Sequence, residues 1–387
     1  MTMNKTLKAA TAGVALALLA SSGSVFADDT GATTTVKFGG YAKFDAMWSD
    51  YSDATPGGNA IIRQFYLPSQ IPVGDGSAGG DVSADFQARE SRLFFRADTK
   101  TAGGDTIGAY VEIDFFTHGD GNEVVSNSYS PRLRHAFVKW NKWLFGQTWS
   151  TFQDVGALPE ALDFVGPAES TTFVRQAMVR YTSGNLELAA ENPETFVYGA
   201  ASSTPGNDTI PDLVARYTFP FDGGYIKLAG LIRSLNVDEE PNGAQADETT
   251  FSISASAKFK IGDRDDIRAM VTYGDGVGRY LGLGIGRDGA VNGSGIDTIE
   301  QTAGFLAYRH FWDEKWRSNF MVGANSLDIP DTAGDQTESA SSVHVNIIYN
   351  PLPKLDVGAE IMWAERELVS GIDGDFTRLI ISAKYAF

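Results

Sequence analysis

The sequence predicts an all-β fold: a 16-stranded antiparallel transmembrane β-barrel with short periplasmic turns, long extracellular loops and an inward-folded third loop. Segments of about ten residues alternate apolar and polar side chains from Lys37 to Phe387. The linkers between these segments alternate in length, short and long, which is typical of a barrel whose two rims differ. The last segment also reaches the final residue, so it can pair with the first strand and leave no free sheet edge.

The first strand shows the alternation clearly. From Val36 to Trp48 the even positions are mostly apolar, whereas Lys37, Lys43 and Asp45 lie on the other face. A period of two rich in strand-forming residues indicates a β-strand with one apolar and one polar face. In a barrel, the apolar face can contact lipid and the polar face a water-filled lumen.

The same pattern, followed along the whole chain, predicts sixteen strands. The predicted strands are residues 35–48, 88–99, 105–116, 131–140, 142–150, 173–183, 185–194, 211–219, 224–233, 250–260, 265–274, 299–312, 314–326, 341–350, 354–366 and 375–387. The short linkers carry turn residues such as Gly103-Gly104 and Gly223-Gly224. Many of the acidic residues lie in the long linkers, one of which is expected between residues 233 and 250.

The first 27 residues have the features of a secretory signal peptide. Lys5 and Lys8 precede an apolar stretch from Ala9 to Ala20, and small residues then lead to Ala27. The apolar stretch is too short for a membrane-spanning helix. We therefore expect cleavage after Ala27 and a single β-barrel domain over residues 28–387.

Composition excludes several classes of protein. The 31 basic and 49 acidic side chains give a formal charge of −18, which argues against nucleic acid as a partner. Without cysteine, the chain has no disulfides and no thiolate metal sites. None of its four histidines lies in a serine-hydrolase motif, so we expect neither an enzyme nor a cofactor.

Aromatic residues cluster beside the short turns. Trp140 and Trp143 flank one turn, Trp312 and Trp316 flank another, and the chain ends on Phe387. Such residues at one level are typical of the aromatic girdle of an outer-membrane barrel. The expected partner of the outer face is outer-membrane lipid, including lipopolysaccharide.

One long linker, residues 150–172, is the candidate constriction loop. It carries Asp154, Glu160 and Asp163 among several apolar residues, more than a solvated loop usually contains. Folding against the inner wall would bury the apolar residues and place the three carboxylates at the narrowest point. The alternative is a loop packed over the barrel mouth or against a neighbouring subunit.

Basic side chains are available on the predicted inner wall. By parity Arg92, Arg96 and Arg180 point inward, opposite apolar neighbours. Arg134 lies in a segment without a clean apolar face, and Arg175 is lumenal only if its strand begins after it. Planar guanidinium groups can hold a carboxylate at two points, so such a cluster favours anions. Salt bridges that stiffen the wall are an equally good explanation of any single arginine.

Four stretches together resemble the DcaP-like outer-membrane porin family. They are RLRHAFVKW (132–140), GQTWSTF (146–152), DFVGP (163–167) and RQAMVRYT (175–182). The resemblance is dense from about residue 36 to 183 and diffuse afterwards. It implies a homotrimeric porin in the outer membrane of a Gram-negative bacterium, through which small anionic solutes such as dicarboxylates diffuse.

Carried over by position, the resemblance implies a pore constriction of eight residues. They are Asp154, Glu160 and Asp163 on the loop, facing Arg92, Arg96, Arg134, Arg175 and Arg180 on the wall. Some family members carry a coiled-coil segment after the signal peptide, and this chain has only a few residues there. A channel specific for sugars or aromatic acids remains the alternative, although only Tyr41 and Tyr110 are inward-facing rings by parity.

Overall fold

The computed structural model describes residues 24–27, 31–117, 126–200, 202–204, 206, 208–239, 244–293 and 295–387, and it confirms the 16-stranded barrel. The barrel strands are β1 (Thr33–Tyr51), β2 (Ser83–Gln87 and Arg92–Lys100), β3 (Thr106–Asp114), β4 (Arg132–Trp140), β5 (Trp143–Trp149), β6 (Arg175–Ser183), β7 (Leu186–Glu191), β8 (Asp212–Phe221), β9 (Gly224–Glu239), β10 (Ala244–Ile261), β11 (Asp265–Asp275), β12 (Glu300–Phe311), β13 (Trp316–Asp328), β14 (Thr337–Leu352), β15 (Leu355–Leu368) and β16 (Asp373–Ala386).

The sheet closes on itself. Each strand pairs antiparallel with its neighbours in sequence, and β1 pairs with β16 from Tyr41↔Ala386 to Tyr51↔Phe376. Closure gives hydrogen-bond partners to both outer strands, which a bilayer requires because lipid offers none. The backbone N–H of Phe387 also donates to the carbonyl of Gly40, 3.0 Å away, so the pairing continues to the final residue.

Two strand boundaries differ from the prediction. The predicted strand 88–99 is wrong at its start, because β2 pairs with β1 in two pieces separated by residues 88–91. The predicted long linker between 233 and 250 is also wrong: β9 and β10 pair from Phe259 up to Glu239↔Ala244. Its acidic residues therefore extend a hairpin beyond the membrane, where alternation of apolar and polar residues is no longer required.

The outer face is apolar and exposed at alternate positions. In β10, Phe251 and Ile253 are 62% and 63% exposed, whereas Ser252 and Ser254 face inward at 4% and 5%. Leaving many such side chains in water would be unfavourable at about 25 cal/mol per Å² of apolar surface. Contact with lipid removes the cost of exposing these side chains to water. Trp140, as the girdle requires, is also exposed beside its short turn.

The predicted signal peptide lies largely outside the described residues. Of its 27 residues, only Ser24–Ala27 is described, and it pairs antiparallel with Thr33–Val36. Cleavage after Ala27 stays a prediction. No helix among the described residues has the length and apolar character needed to cross a membrane.

Three long loops lie on the inner side of the wall. We call them L1 (residues 52–82, between β1 and β2), L3 (150–174, between β5 and β6) and L6 (276–299, between β11 and β12). L6 packs on the returning arm of L3, where the Phe173 amide donates to the Tyr280 carbonyl over 2.9 Å. The lumen is therefore narrowed by several loops.

Candidate constriction site

L3 enters the barrel with its apolar residues buried. Phe152, Leu162 and Val165 are almost fully covered. Short 3-10 turns at Val155–Ala157 and Ala168–Ser170 bend the chain so that it follows the inner wall. L3 thus lies along the inner wall of the barrel.

The first attachment of L3 to the wall is Asp154. Lys227 of β9 donates to its carboxylate over 2.6 Å, and Ser256 of β10 donates over 2.9 Å. The same carboxylate caps the following turn by accepting the Gly156 amide. Asp154 is therefore a neutralised anchor, and its carboxylate is 97% or more covered by protein.

Glu160 is the second attachment. Arg317 of β13 donates two hydrogen bonds to its carboxylate, at 3.0 and 2.7 Å, and Arg309 of β12 lies 3.3 Å away. Burial alone would raise the pKa of Glu160, but the hydrogen bond from Arg317 and the two nearby positive charges hold that pKa below its usual range.

The third attachment joins L3 to β15 and to L1. Glu360, which is buried, accepts the amides of Leu162 and Asp163 at 2.6 and 3.4 Å. The Asp163 carboxylate accepts the Tyr66 amide of L1 over 3.0 Å, with Arg378 at 3.8 Å. Burial raises the pKa of Asp163, because the distant Arg378 only partly offsets desolvation.

L3 then crosses to β13 at a position where only glycine fits. A Cβ on Gly323 would lie 2.4 Å from the carboxylate of Glu169 and 2.6 Å from Pro167. Glu169 itself is buried and accepts the Ser342 hydroxyl over 2.8 Å. Burial raises the pKa of Glu169, with His344 and Ser342 opposing the shift.

A group of arginines surrounds the ring of Phe164, the residue after the third attachment. The guanidinium carbons of Arg92, Arg132 and Arg134 lie 5.8, 5.8 and 5.5 Å from the ring centroid. They come from β2 and β4, on the side of the lumen away from the anchors of Glu160. We call Arg92, Arg132, Arg134 and Arg175 the arginine wall.

A β-bulge explains why the face of β4 was ambiguous in the sequence. Glu112 pairs with His135 and Ile113 with Leu133, so Arg134 is the extra residue between them. Its guanidinium is 1% exposed and contacts Glu112 at 2.6 Å and Asp114 at 2.7 Å. Arg134 therefore stiffens the wall through salt bridges, which was the alternative explanation given for any single arginine.

The positive charges of Arg132 and Arg175 are less fully neutralised by neighbouring carboxylates. Arg132 shares Asp114 with Arg134, at 2.7 Å, and its side chain is 21% exposed. Arg175 is the first residue of β6, with its guanidinium 4.5 Å from the Trp149 ring centroid. One of its buried N–H groups, Nη1, has no hydrogen-bond acceptor. Neighbouring positive charges on Arg134, Arg132 and Arg92 repel it.

The remaining predicted residues lie elsewhere. Arg96 is more than half exposed and pairs with Asp98 at 2.6 Å, nearer the short turns. Arg180 donates to the Thr151 hydroxyl over 2.8 Å, at the base of L3, and lies 3.9 Å from Glu187. No ion pair between described residues joins the three L3 carboxylates to the five predicted arginines.

The predicted carboxylates are instead held by cations that the sequence reasoning did not select. They are Lys227 for Asp154, Arg309 and Arg317 for Glu160, and Arg378 for Asp163. Their inward parity was readable, but nothing local shows which loop residue each meets. Arg132 was also missed, because the bulge conceals its parity. The part of the chain that the structure describes holds no cluster of three metal-ligating side chains.

Acid should loosen L3 at Glu160. Since its pKa is lowered in the folded state, its attachment is present above the ordinary glutamate value of about 4.3 and is lost as pH falls through the lowered value. We expect single-channel current noise to rise below about pH 4. In Glu160→Gln that noise should already be present at neutral pH and change little on acidification.

Asp163 and Glu169 respond to acid in the opposite way. Their pKa values are raised in the folded state, so their protonation at low pH favours folding rather than opposing it. Equal noise in wild type and Glu160→Gln at both pH values would contradict the assignment to Glu160.

Comparison with known proteins agrees with this architecture. The family model described as "DcaP outer membrane protein" matches residues 12–387. The structure of the outer-membrane channel DcaP of Acinetobacter baumannii is 26% identical, with a TM-score of 0.76, covering 95% of this chain and 100% of that one. No curated protein matches the chain.

More distant structures share the fold alone. An anion-selective porin from Comamonas acidovorans has a TM-score of 0.57 at 10% identity, covering 92% of this chain and all of that one. OmpF of Salmonella typhi, in complex with daunomycin, has a TM-score of 0.58 at 11% identity, covering 94% and 100%.

Proposed function

Because the chain belongs to the DcaP outer membrane protein family and is an outer-membrane channel protein of that family, we propose that it is a diffusion porin favouring small anions such as dicarboxylates. Small hydrophilic solutes cross its lumen passively. The preference for anions arises between Phe164 and the arginine wall.

The observation that carries this proposal is the charge balance around Phe164. Four guanidinium groups lie on the arginine wall, and the carboxylates paired with them are those of Glu112 and Asp114. Two positive charges therefore remain in excess at this level. In a confined, partly desolvated passage, a fixed excess of positive charge lowers the free energy of an anion and raises that of a cation.

The acidic loop does not cancel this excess. Asp154 and Glu160 each contact a basic side chain at 3 Å or less, on strands β9 and β13. Both carboxylates are thus neutralised by the side chains that anchor L3. Arg132 already donates two parallel hydrogen bonds to Asp114, at 2.8 and 2.7 Å, so the arginine wall attracts a dicarboxylate through its excess positive charge.

Aromatic acids are a second candidate class of solute. Phe164 and Trp149 both lie beside arginines, with Arg134 5.5 Å from the first ring and 5.8 Å from the second. A flat anion could stack on such a ring while its carboxylate meets a guanidinium. Block of the single-channel current by benzoate, compared with succinate, distinguishes the two classes.

We also propose that the protein is a homotrimer in contact with lipopolysaccharide and outer-membrane lipid, with no enzymatic activity and no cofactor. The structures that match include a channel and an anion-selective porin, and the apolar outer face of the strands suits either lipid or a second subunit. Light scattering of the detergent-solubilised protein measures the number of subunits.

Planar-bilayer reversal potentials test the proposed selectivity. We expect the wild type to prefer chloride to potassium, and Arg132→Ala/Arg175→Ala to lose much of that preference. At the dielectric constant of water, one charge about 5 Å from the ion is worth about 0.8 kcal/mol, or about fourfold for each ion. Because the effects on anion and cation are opposite, the permeability ratio changes about 16-fold. Arg92→Ala/Arg96→Ala should change it less, since Arg96 is already paired.

Arg264→Ala is the matched control. Arg264 is exposed in a short turn beside Glu314, away from Phe164. Cation preference in the wild type would refute the proposed function. An unchanged ratio in Arg132→Ala/Arg175→Ala would remove these two residues from the filter.

A further inference from the structure

The middle of L1 forms a compact apolar unit inside the barrel. Residues 61–71, which we call the L1 knot, contain two 3-10 turns, Ile61–Arg63 and Pro68–Gln70. Ile62, Tyr66 and Ile71 are completely buried within this unit. By contrast, residues 75–79 of the same loop are exposed.

The knot packs on inward-facing wall residues. Its apolar side chains share one cluster with Tyr51 of β1, Met362 and Ala364 of β15, and Phe376 of β16. The neighbouring residues Trp363 and Leu379 point to the outer face and are exposed. The knot therefore lies within the lumen, over β15, β16 and β1.

Two arginine side chains hold the knot in place by donating hydrogen bonds to its backbone carbonyls. Buried Arg378 donates to the Ile62 carbonyl over 2.6 Å, and Arg366 donates to the Ser69 and Ile71 carbonyls over 2.7 and 3.2 Å. On its other side, the Gln64 side chain accepts the Thr117 amide over 3.0 Å. The knot thus spans from β15 to the end of β3.

The knot also contacts L3 at the residue that faces the arginine wall. The Phe65 ring lies 5.1 Å from Phe164 and 5.2 Å from Phe116, and Phe116 lies 4.7 Å from Phe164. The Tyr66 amide donates to Asp163, the residue before Phe164. Phe164 is therefore wedged between the knot and the guanidinium groups of Arg92, Arg132 and Arg134.

We propose that the L1 knot is a second constriction element, which fixes Phe164 against the arginine wall and so sets both the size limit and the ion preference of the channel. L3 alone carries Phe164, but its ring position depends on Phe65 and on the Tyr66–Asp163 hydrogen bond. The knot also occupies the part of the lumen over β15, β16 and β1, so solutes pass on the side of the arginine wall. This proposal rests on the proposed channel function.

The test replaces residues 61–71 by a Gly/Ser segment of equal length, which is flexible and has no apolar side chains to bury. We expect single-channel conductance to rise about twofold or more, because the cross-section left by the knot opens to water. We also expect the chloride-to-potassium ratio to fall although every wall arginine is retained. Deleting residues 76–79, at the exposed tip of the same loop, is the matched control and should change neither quantity.

Phe65→Ala provides a second variant in case the replaced loop prevents barrel assembly. It leaves the knot's backbone anchors intact and removes only the ring against Phe164, so the ion ratio should fall with a smaller rise in conductance. A wild type that conducts no ions would refute the channel function itself. A conducting wild type whose assembled variants conduct and select as it does would overturn only the role of the knot.

Discussion

Arg134→Ala should destabilise the barrel by about 3–5 kcal/mol, the loss typical when one partner of a buried ion pair is removed. Arg134 is 1% exposed, and the truncation leaves the Glu112 carboxylate without its 2.6 Å partner. Asp114, which is fully buried, keeps Arg132 as its ion-pair partner and the Phe116 amide as a weaker donor at 3.4 Å. The cost arises mainly from the desolvated carboxylate left behind rather than from the attraction that is lost.

Arg96→Ala is the matched control on β2, which is separated from β4 by β3. Arg96 also forms a 2.6 Å ion pair, with Asp98, but both side chains are close to half exposed. Exposed pairs contribute about 0–1 kcal/mol, so this variant should remain close to the wild type. The urea midpoint of unfolding in detergent, followed by the mobility of folded and unfolded protein on gels, measures both variants.

A double variant identifies the cause. In Arg134→Ala/Glu112→Gln the stranded charge is absent, and part of the lost stability should return. Equal losses in Arg134→Ala and Arg96→Ala, or no recovery in the double variant, would contradict the buried-pair explanation.

The strands could be predicted because their signal is local. In β10, for example, each residue between Phe251 and Lys260 faces lipid or lumen according to its parity, and parity can be read from neighbouring residues. Beyond the membrane this constraint ends. The β9–β10 hairpin continues to Glu239 through acidic residues, and the sequence therefore suggested a loop.

The site could be predicted only in part, because its contacts are non-local. Asp154 meets Lys227 and Ser256 across 73 and 102 residues of chain. Acidic side chains in L3 were visible, yet their choice between the near arginines and these distant cations depends on the path of the loop. The bulge at Arg134 is likewise a feature of pairing, which one strand's sequence does not show.

The sequence of L1 contains an apolar cluster that a search for strands does not detect. The stretch from Ile61 to Ile71 contains six aliphatic or aromatic residues within eleven positions, without the period of a strand. The same reasoning that selected 150–172, namely apolar residues in a long linker, applies to it. Buried apolar loops inside a barrel are detected by composition rather than by periodicity.

Glu360→Ala should release L3 from the wall and change conductance more than any other single substitution on β15. Glu360 is fully buried and accepts four hydrogen bonds: from the amides of Leu162 and Asp163, from Asn346 at 2.9 Å, and from His344 at 3.2 Å. Alanine offers none of them. Each buried donor left without a partner costs about 1–3 kcal/mol, so we expect the third attachment of L3 to open.

The expected result is a larger, noisier current with a reduced preference for anions, because Phe164 follows Asp163 directly and moves with it. Glu365→Ala is the control on the same strand, since Glu365 is exposed and accepts a hydrogen bond from the Ser341 hydroxyl over 3.0 Å. Glu360→Gln separates charge from hydrogen bonding: its amide oxygen can still accept from Leu162, so it should lie between wild type and Glu360→Ala. If Glu360→Ala conducts as steadily as Glu365→Ala, then L3 is held by Asp154 and Glu160 alone, and Phe164 owes its position to the L1 knot rather than to the wall.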